Sequence, residues 1–427
     1  MREVPAAPLV RQLFRWLGPN ERCLRAVLDE ASRRAVRAYL VGGPVRDLLL
    51  GLPVRDIDIL LSDRLEEIAE ASAERISGRV RRHERFLTAT LEGVDFRIDL
   101  SRARKEVYPS PGALPRVRPA ELEEDFVRRD FSVNAMALPL AARSEDTVLD
   151  PQGGMADLAA RRLRVLHAQS FVDDPTRLYR AARYAARLGF RLEPDTARLA
   201  REAVRAGAVD TLSPARIRHE IERMLDEEKS APVAVRTAQL GLLGAAARGW
   251  RLTAEGGRGL RRLDRSRAHP PWPEMAGDSV LRDCGVRLLL LGLGKPLRTR
   301  ALERLGIAGG AVERIERDLE PFRGRVRGLA RPLSPGALDA RLSAVSEAGL
   351  LFLFCGAPAA AQRRVARYAK TLRHAVSSLD GYQVAALGAQ GSQIGALLRA
   401  ARRRTLDGRV VDEPWARRWL ARHRQIE

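Results

Sequence analysis

Residues 38–62 read AYLVGGPVRDLLLGLPVRDIDILLS. An apolar run of β type, Tyr39, Leu40 and Val41, stops at Gly42-Gly43. The residues from Val45 to Leu50 predict a helix with Pro44 in its first turn and Gly51 closing it. A second apolar strand then carries Asp56 and Asp58 among Ile57, Ile59 and Leu60. Strand residues two apart share a face, so both carboxylates project together while the isoleucines turn to the core. Two like charges side by side are costly unless a cation lies between them.

Each piece limits the chemistry. A Gly-Gly turn that opens a helix lets backbone N–H groups approach an anion, and Arg46 adds a guanidinium fork beside them. Paired carboxylates offer hard oxygen ligands that suit Mg²⁺, which takes its other ligands from water and substrate phosphates. Either signal alone is weak, because Gly-Gly turns and Asp-x-Asp pairs are common on surface loops. Joined in one strand-turn-helix-strand unit, they point to metal-assisted phosphoryl or nucleotidyl transfer.

A chain of 427 residues has room for about two to four domains, and 45% hydrophobic content is ordinary. The charge is not ordinary: 75 Lys+Arg against 54 Asp+Glu leave a formal +21. Such an excess implies a polyanionic partner, since basic side chains that neutralise phosphates drive nucleic-acid binding. A GC-rich genome explains the choice of arginine over lysine better than it explains the net charge. Cys23, Cys284 and Cys355 are too widely spaced for a disulfide framework or a zinc pattern, which fits a reducing cytoplasm. No apolar run reaches the roughly twenty residues of a membrane span. The N-terminus lacks the apolar centre and cleavage site of a secretion signal and reads as an ordinary first helix. No protein partner is evident.

The strings GGPVRDLLLG and RDIDIL resemble the head of the class II nucleotidyltransferases. That branch holds the tRNA CCA-adding enzymes, their CC-adding and A-adding relatives, and bacterial poly(A) polymerases. The resemblance implies an α+β fold, with a nucleotidyltransferase head of mixed β-sheet and helices over residues 1–142. An all-α remainder would follow: a neck with base recognition (143–212), a body (213–330) and a tRNA-binding tail (331–427). It also implies Asp56 and Asp58 as catalytic metal ligands, with Gly42, Gly43 and Arg46 against the nucleotide. The strand VDFRIDL leads into DLSRARKEVY, similar to the family's third-carboxylate strand and the R-x-E-x-Y after it. That alignment uses Arg104, Glu106 and Tyr108 and gives Asp99 as third carboxylate, able to polarise an attacking hydroxyl. Asp95 reads as a solvated turn residue.

The segment LEEDFVRRDFSVNAMAL predicts a helix that brings Arg129, Asp130 and Asn134 together. It is similar to the family's RRDFTINAM, departing mildly at Ser132 and Val133. The likeness implies that Arg129 contacts the triphosphate and Asp130 the ribose hydroxyls, with Asn134 beside them. In FVDDPTRLYRAARYAARLGF, Pro175 suits the first helical position and Asp174 the cap before it, a complete structural explanation for Asp174. Yet Arg177, Arg180 and Arg183 follow at steps of three, a positive stripe that calls for phosphates or bases. The stretch resembles the family's E-D-x-x-R base-reading motif, with Asp173 where glutamate is usual. By that likeness Asp174 and Arg177 read the base, and Arg180 and Arg183 touch the bound nucleotide.

The rest is read more coarsely. Leu9 to Ala38 and Leu65 to Ile76 predict helices, and His83–Leu91 and Val94–Leu100 predict strands. Tyr108 to Pro119 is a proline-rich loop, and Asp150 to Leu166 a turn with a short helix. Leu212 to Leu243 holds two helices, the first capped by Ser213 and Pro214. Trp250 to Pro273 reads as an exposed basic linker, with its HPPWP end as a rigid loop. The last hundred residues are helical, and GAQGSQIGALLRAARRRTLDGRV resembles the family's tail segment. Arg402, Arg403 and Arg404 there are either a solvated face or a patch for an RNA backbone. The six histidines show no paired spacing, so no second enzymatic domain is expected. The expected activity is addition of C, A or both to the tRNA 3′ end, from CTP and ATP with Mg²⁺. A poly(A) polymerase of the same class and a non-catalytic RNA-binding protein are the alternatives.

Overall fold

The computed structural model describes residues 3–54, 56–141, 143 and 145–423. The chain divides into two compact units, Met1–Arg216 with Gln239–Ala245, and Ile217–Ala238 with Ala246–Glu427. The head's expected end at Ala142 falls outside the described residues.

The first unit opens with α1 (Ala6–Trp16) and α2 (Asn20–Arg33). The single helix expected from Leu9 to Ala38 is broken where Gly18, at φ +52°, meets Pro19, and Ala38 already belongs to β1 (Ala38–Val41). Then come α3 (Gly43–Leu49), β2 (Asp58–Leu61) and α4 (Leu65–Ile76). β2 starts at Asp58, so Asp56 precedes the ladder instead of sharing the strand. β3 (Arg79–His83), β4 (Thr88–Glu92) and β5 (Arg97–Arg102) replace the two strands expected here. A 3-10 turn over Glu84–Phe86, inside the run read as one strand, lets β3 fold back antiparallel on β4.

β6 (Arg104–Val107) and β7 (Arg116–Pro119) form a two-stranded ribbon, so the proline-rich loop is shorter than expected. Pro119 is tolerated because it ends its strand. The helix expected through LEEDFVRRDFSVNAMAL stops at α5 (Leu122–Val127). Beyond it Phe131, Val133, Ala135, Met136, Ala137 and Leu138 are all fully buried, more than one helix stripe can cover. The chain instead extends at Phe131, which bridges to Val165, and enters the sheet as β8 (Ala137–Pro139).

The sheet order is β3-β4-β5-β2-β1-β8, with β2 and β5 parallel and every other pair antiparallel. Alternation sorts its side chains. Leu40, Ile59, Leu61, Leu91, Ile98 and Leu100 are buried on one face, where α2 and α4 pack. Tyr39, Val41 and Leu60 on the other face join Phe126, Ala135 and Ala137 in a second small core, and that same face carries Asp58 and Asp99. The unit ends with α6 (Gly154–Ala159), α7 (Ser170–Asp173), α8 (Thr176–Leu188) and α9 (Pro194–Arg205).

The second unit is helical. It is built from α10 (Pro214–Asp226) and α11 (Ser230–Gln239) and, past α12 (Leu242–Ala246), which belongs to the first unit up to Ala245, from α13 (Ala254–Ser266), α14 (Trp272–Met275) and α15 (Asp278–Leu290). There follow α16 (Lys295–Arg304), α17 (Gly310–Leu319), α18 (Phe322–Ala330), α19 (Pro335–Leu342), α20 (Glu347–Gly356) and α21 (Ala359–Lys370). α22 (Gly381–Ala386), α23 (Ser392–Leu406) and α24 (Glu413–Arg422) enclose a small core around Leu397 and Ala416.

The basic linker expected from Trp250 to Pro273 is instead a core element. α13 buries Leu260 and Leu263 and packs on α15 and α20. Its glycines make the approach possible: a Cβ at Gly256 would lie 2.3 Å from the Leu288 carbonyl oxygen, and one at Gly259 2.4 Å from the Leu288 side chain. HPPWP is a loop only over His269–Pro271, since Trp272 begins α14 and is buried against Phe354. Arg402 belongs to neither of its expected readings. It pairs with buried Asp339 at 3.1 Å and donates to the carbonyls of Leu372, Arg373 and Ala375. Among the described residues no helix is long and apolar enough to cross a membrane.

Candidate active site

The parallel pairing of β2 with β5 sets Asp58 directly beside Asp99. Asp56 lies just before β2 and is exposed. Burial, then the charges of Asp99 and Asp56, push the Asp58 carboxyl up to about 6. Asp99 is steadied by the Thr90 hydroxyl, which donates to its Oδ1 at 2.6 Å from the neighbouring strand, and by Arg97 at 3.4 Å. A cavity of about 390 Å³ opens on this face, with Asp58, Thr90, Asp99, Arg97, Arg128 and Arg129 among its walls.

The Gly42-Gly43 turn stands at the end of β1 on the same side. Gly42 has φ +78°, and a Cβ there would sit 3.2 Å from Nη1 of Arg129, so glycine suits this position on both counts. Arg129 is held by Asp125, which takes Nε at 3.0 Å and Nη2 at 2.7 Å, and it also reaches the Asn134 carbonyl. Asp125 is fully buried and pairs with Arg128 as well. Burial would raise its carboxyl, but Arg129 and Arg128 hold it below the ordinary value. Arg46, read from the sequence as an open fork for an anion, is 1% exposed. It donates to Asn134 Oδ1 at 2.6 Å and to Asp47 at 2.8 Å, so it positions Asn134.

Asp130 is likewise engaged. Phe131 N–H and Asn134 Nδ2 donate to one carboxylate oxygen, at 2.8 and 3.0 Å, and Arg180 forks onto the other at 2.6 and 2.8 Å. Burial alone would raise this acid, yet the Arg180 charge and the Asn134 bond bring it down to about 2. On α8, Arg177 is 4% exposed and donates Nη2 to the Arg128 carbonyl at 2.6 Å. Its Nη1 is buried with no hydrogen-bond partner among the described residues. Native structures seldom leave such a donor unmatched. Arg183 is also buried, and the guanidinium groups of Arg46, Arg180, Arg183 and Arg187 all lie 5.3–5.5 Å from the Tyr184 ring centre.

Asp174 caps α8 through Thr176, whose N–H and hydroxyl it accepts at 3.1 and 2.7 Å. It also pairs at 2.6 Å with Arg216, whose other nitrogen reaches the Gly112 carbonyl. Gly112 N–H in turn donates to the carbonyls of Val172 and Asp173, so the proline-rich loop rests on the turn before α8. The aligned Arg104, Glu106 and Tyr108 form a closed cluster in which Glu106 accepts from Arg104, Arg128 and the Tyr108 hydroxyl.

The structure thus brings Asp58, Asp99 and Arg129 around one opening, with Gly42 close against Arg129, and Asn134 and Asp130 linking Arg129 to Arg180 behind it. Sequence reasoning missed Thr90, Asp125, Tyr184 and Arg216. Asp125 was visible as a carboxylate three and four residues before Arg128 and Arg129. The others depend on strand register and long-range packing. Among the described residues no three His, Cys, Asp or Glu side chains converge into a ready metal cage. Asp58 and Asp99 nevertheless offer adjacent hard oxygens beside an open cavity, a donor set that fits an ion bound by one or two carboxylates and otherwise by water and phosphate.

Residues 38–164 match the Poly A polymerase head domain. The chain is 40% identical over 194 residues to an A-adding tRNA nucleotidyltransferase of Aquifex aeolicus, covering 45% of this chain and 24% of that one. It is also 40% identical over 194 residues to a CC-adding tRNA nucleotidyltransferase of Deinococcus radiodurans, covering 44% of this chain and 51% of that one. The chain therefore spans about half, or less, of the length of these curated relatives. A solved CCA-adding enzyme in complex with ATP matches it with a TM-score of 0.81 and 25% identity, over 100% of both chains. Residues 38–164 thus carry a Poly A polymerase head domain, and the chain is similar in fold, over its whole length, to a CCA-adding enzyme.

Proposed function

We propose that the protein is a tRNA nucleotidyltransferase that adds C, A or both to the tRNA 3′ end from CTP and ATP. The observation that carries this reading is the side-by-side placement of Asp58 and Asp99 beside the Gly42-Gly43 turn. The 3′-hydroxyl oxygen attacks the α-phosphorus as its proton passes to Asp99, a new P–O bond forms, and the bond from the α-phosphorus to the α–β bridging oxygen breaks, so that pyrophosphate leaves with that oxygen. Asp58 and Asp99, with Asp56 at the rim, would hold Mg²⁺, which supplies positive charge at the attacking and leaving oxygens. Asp99 stands beside the attacking hydroxyl, steadied by Thr90.

Arg129 and the Gly43 N–H bind the triphosphate, the Gly42 N–H being taken by the Met136 carbonyl, and Arg46 keeps Asn134 in place beside them. Asp130 receives ribose hydroxyls once Arg180 releases one of its oxygens to the nucleotide. Arg177, whose buried Nη1 has no acceptor among the described residues, donates to the base, and Asp174 accepts from the exocyclic amine that cytosine and adenine share in position. Arg183 helps to hold the nucleotide from the same helix. The neck over 143–212 would then select the base while the helical body and tail grip the RNA. A reducing cytoplasm suits the three buried free cysteines.

The test offers each nucleotide separately to tRNA ending before CCA, to tRNA ending in CC and to an unstructured RNA. Mg²⁺-dependent addition of one to three residues to a tRNA supports the proposal. Long A tracts on the unstructured RNA would favour the polymerase, and no incorporation would leave a non-catalytic RNA-binding protein.

A further inference from the structure

On α8, Arg177, Arg180, Tyr184 and Arg187 follow at steps of three, four and three, so one stripe of the helix carries them all. Tyr184 is the uncharged member of that stripe. Its ring is buried and meets Phe131 edge-on, with the two centres 6.0 Å apart. A phenylalanine would pack there equally well, so the hydroxyl needs a reason of its own.

The hydroxyl belongs to a closed circuit of contacts. Arg46 Nη1 donates to Asn134 Oδ1 at 2.6 Å, and Asn134 Nδ2 donates to Asp130 Oδ1 at 3.0 Å. Arg180 forks onto Asp130 Oδ2, and the Nη2 that lies 2.6 Å from this oxygen also donates to the Tyr184 hydroxyl at 3.0 Å. The ring closes the circle, since the guanidinium groups of Arg180 and Arg46 lie 5.5 and 5.3 Å from its centre, within reach of a cation–π attraction. Tyr184 therefore touches both arms that end on Asp130.

Binding a ribose at Asp130 disturbs this circuit at one point. Phe131 N–H and Asn134 already donate to Oδ1, so a ribose hydroxyl must compete with Arg180 for Oδ2. A guanidinium that yields a buried carboxylate oxygen gives up charge-assisted hydrogen bonds. In the free protein Nη2 is shared between Asp130 and Tyr184. Once the ribose takes its place, the Tyr184 hydroxyl can accept the whole bond, one helical turn along, while the ring face continues to attract the cation.

Resting on the reading of this site as one for a ribonucleoside triphosphate, we propose that Tyr184 is a positioning residue for ribose selection, its hydroxyl holding Arg180 aside while ribose hydroxyls occupy Asp130. A 2′-deoxyribonucleotide brings one donor fewer, displaces Arg180 less and gains less from Tyr184.

The test compares the full-length wild type with Tyr184→Phe, which keeps the ring and its packing on Phe131 and removes the hydroxyl alone. Isothermal titration calorimetry with Mg²⁺ and without RNA gives Kd for CTP, ATP and the 2′-deoxy form of each. The wild type should bind at least one ribonucleotide more tightly than its deoxy form. Tyr184→Phe should weaken that ribonucleotide by about tenfold and its deoxy form by about threefold or less, as the loss of one hydrogen bond to a charged group allows. A merely structural role would weaken both sugars alike. Equal losses for the two sugars, unchanged ribonucleotide affinity in the variant, or no ribose preference in the wild type would each overturn the role of Tyr184. Should the wild type bind no nucleotide of either sugar, the reading of the site falls and this role with it. Should the sugar split appear while no RNA gains a nucleotide, the role of Tyr184 stands and the transferase reading falls.

Discussion

Asp58 and Asp99 stand side by side in the sheet of the first unit, whereas Arg287 and Asp318 face each other inside the second. The second arrangement follows the rule for buried charge. Arg287, 2% exposed, gives Nε to Asp318 at 2.9 Å and Nη1 to the Asp283 carbonyl, while Arg325 approaches the other Asp318 oxygen. The first arrangement defies it. Two like charges share a ladder position, and the Asp58 carboxyl rises to about 6 because burial and its neighbours oppose ionisation. A pair that serves folding is complete by itself. In the first pair, Arg97 at 3.4 Å answers Asp99 alone, Asp58 has no ion pair among the described residues, and a hard cation with a triphosphate would meet that need.

The largest effect that could break this contrast is on activity. Asp58→Asn removes a like-charge contact, so its thermal midpoint should stay level or rise, while nucleotide addition should fall by about a thousandfold or more. A variant that is less stable yet active would reverse the assignment. Asp318→Ala should do the opposite. Leaving Arg287 buried without its partner should cost about 3–5 kcal/mol in urea unfolding, and the rate per folded molecule at low temperature should hold.

Asp174 tests the borderland between the two kinds of charge, since it caps α8, pairs with Arg216 and is proposed to read the base. Asp174→Ala should lower stability by about 1 kcal/mol and relax rejection of UTP relative to CTP by about ten- to a hundredfold. Lost stability with unchanged discrimination would reduce Asp174 to a cap. The smallest effect belongs to Thr90→Val, which removes one donor from Asp99. A drop of about fivefold in kcat with little change in unfolding is expected from a single hydrogen bond.

Much of the first unit was legible because its signals are local. Gly42-Gly43, Pro44 and Gly51 punctuate the chain so firmly that α3 could be read within a residue or so, and α4 matched from Leu65 to Ile76. What could not be read is long-range. Nothing near Asp99 announces that β5 runs parallel to β2 with Asp99 level with Asp58. The helix expected through Phe131 failed because burial on every side overrode its spacing. The run from Trp250 to Pro273 misled through composition. Its arginines suggested exposure, while its glycines, poor helix formers in isolation, serve the close approach of Leu288. Arg46 and Arg402 show the matching limit, since a basic residue in a suggestive place can be closed inside its own fold.

The proposed role of the Asp58–Asp99 face is to add C or A to a tRNA end. Its most direct test is a gel that resolves single-nucleotide extension of tRNA ending before CCA and of tRNA ending in CC, with CTP or ATP and Mg²⁺. The wild type should extend at least one of the two by one to three nucleotides, and Asp58→Asn should extend neither. Absence of extension by the wild type on both tRNAs, or equal extension by Asp58→Asn, would contradict it.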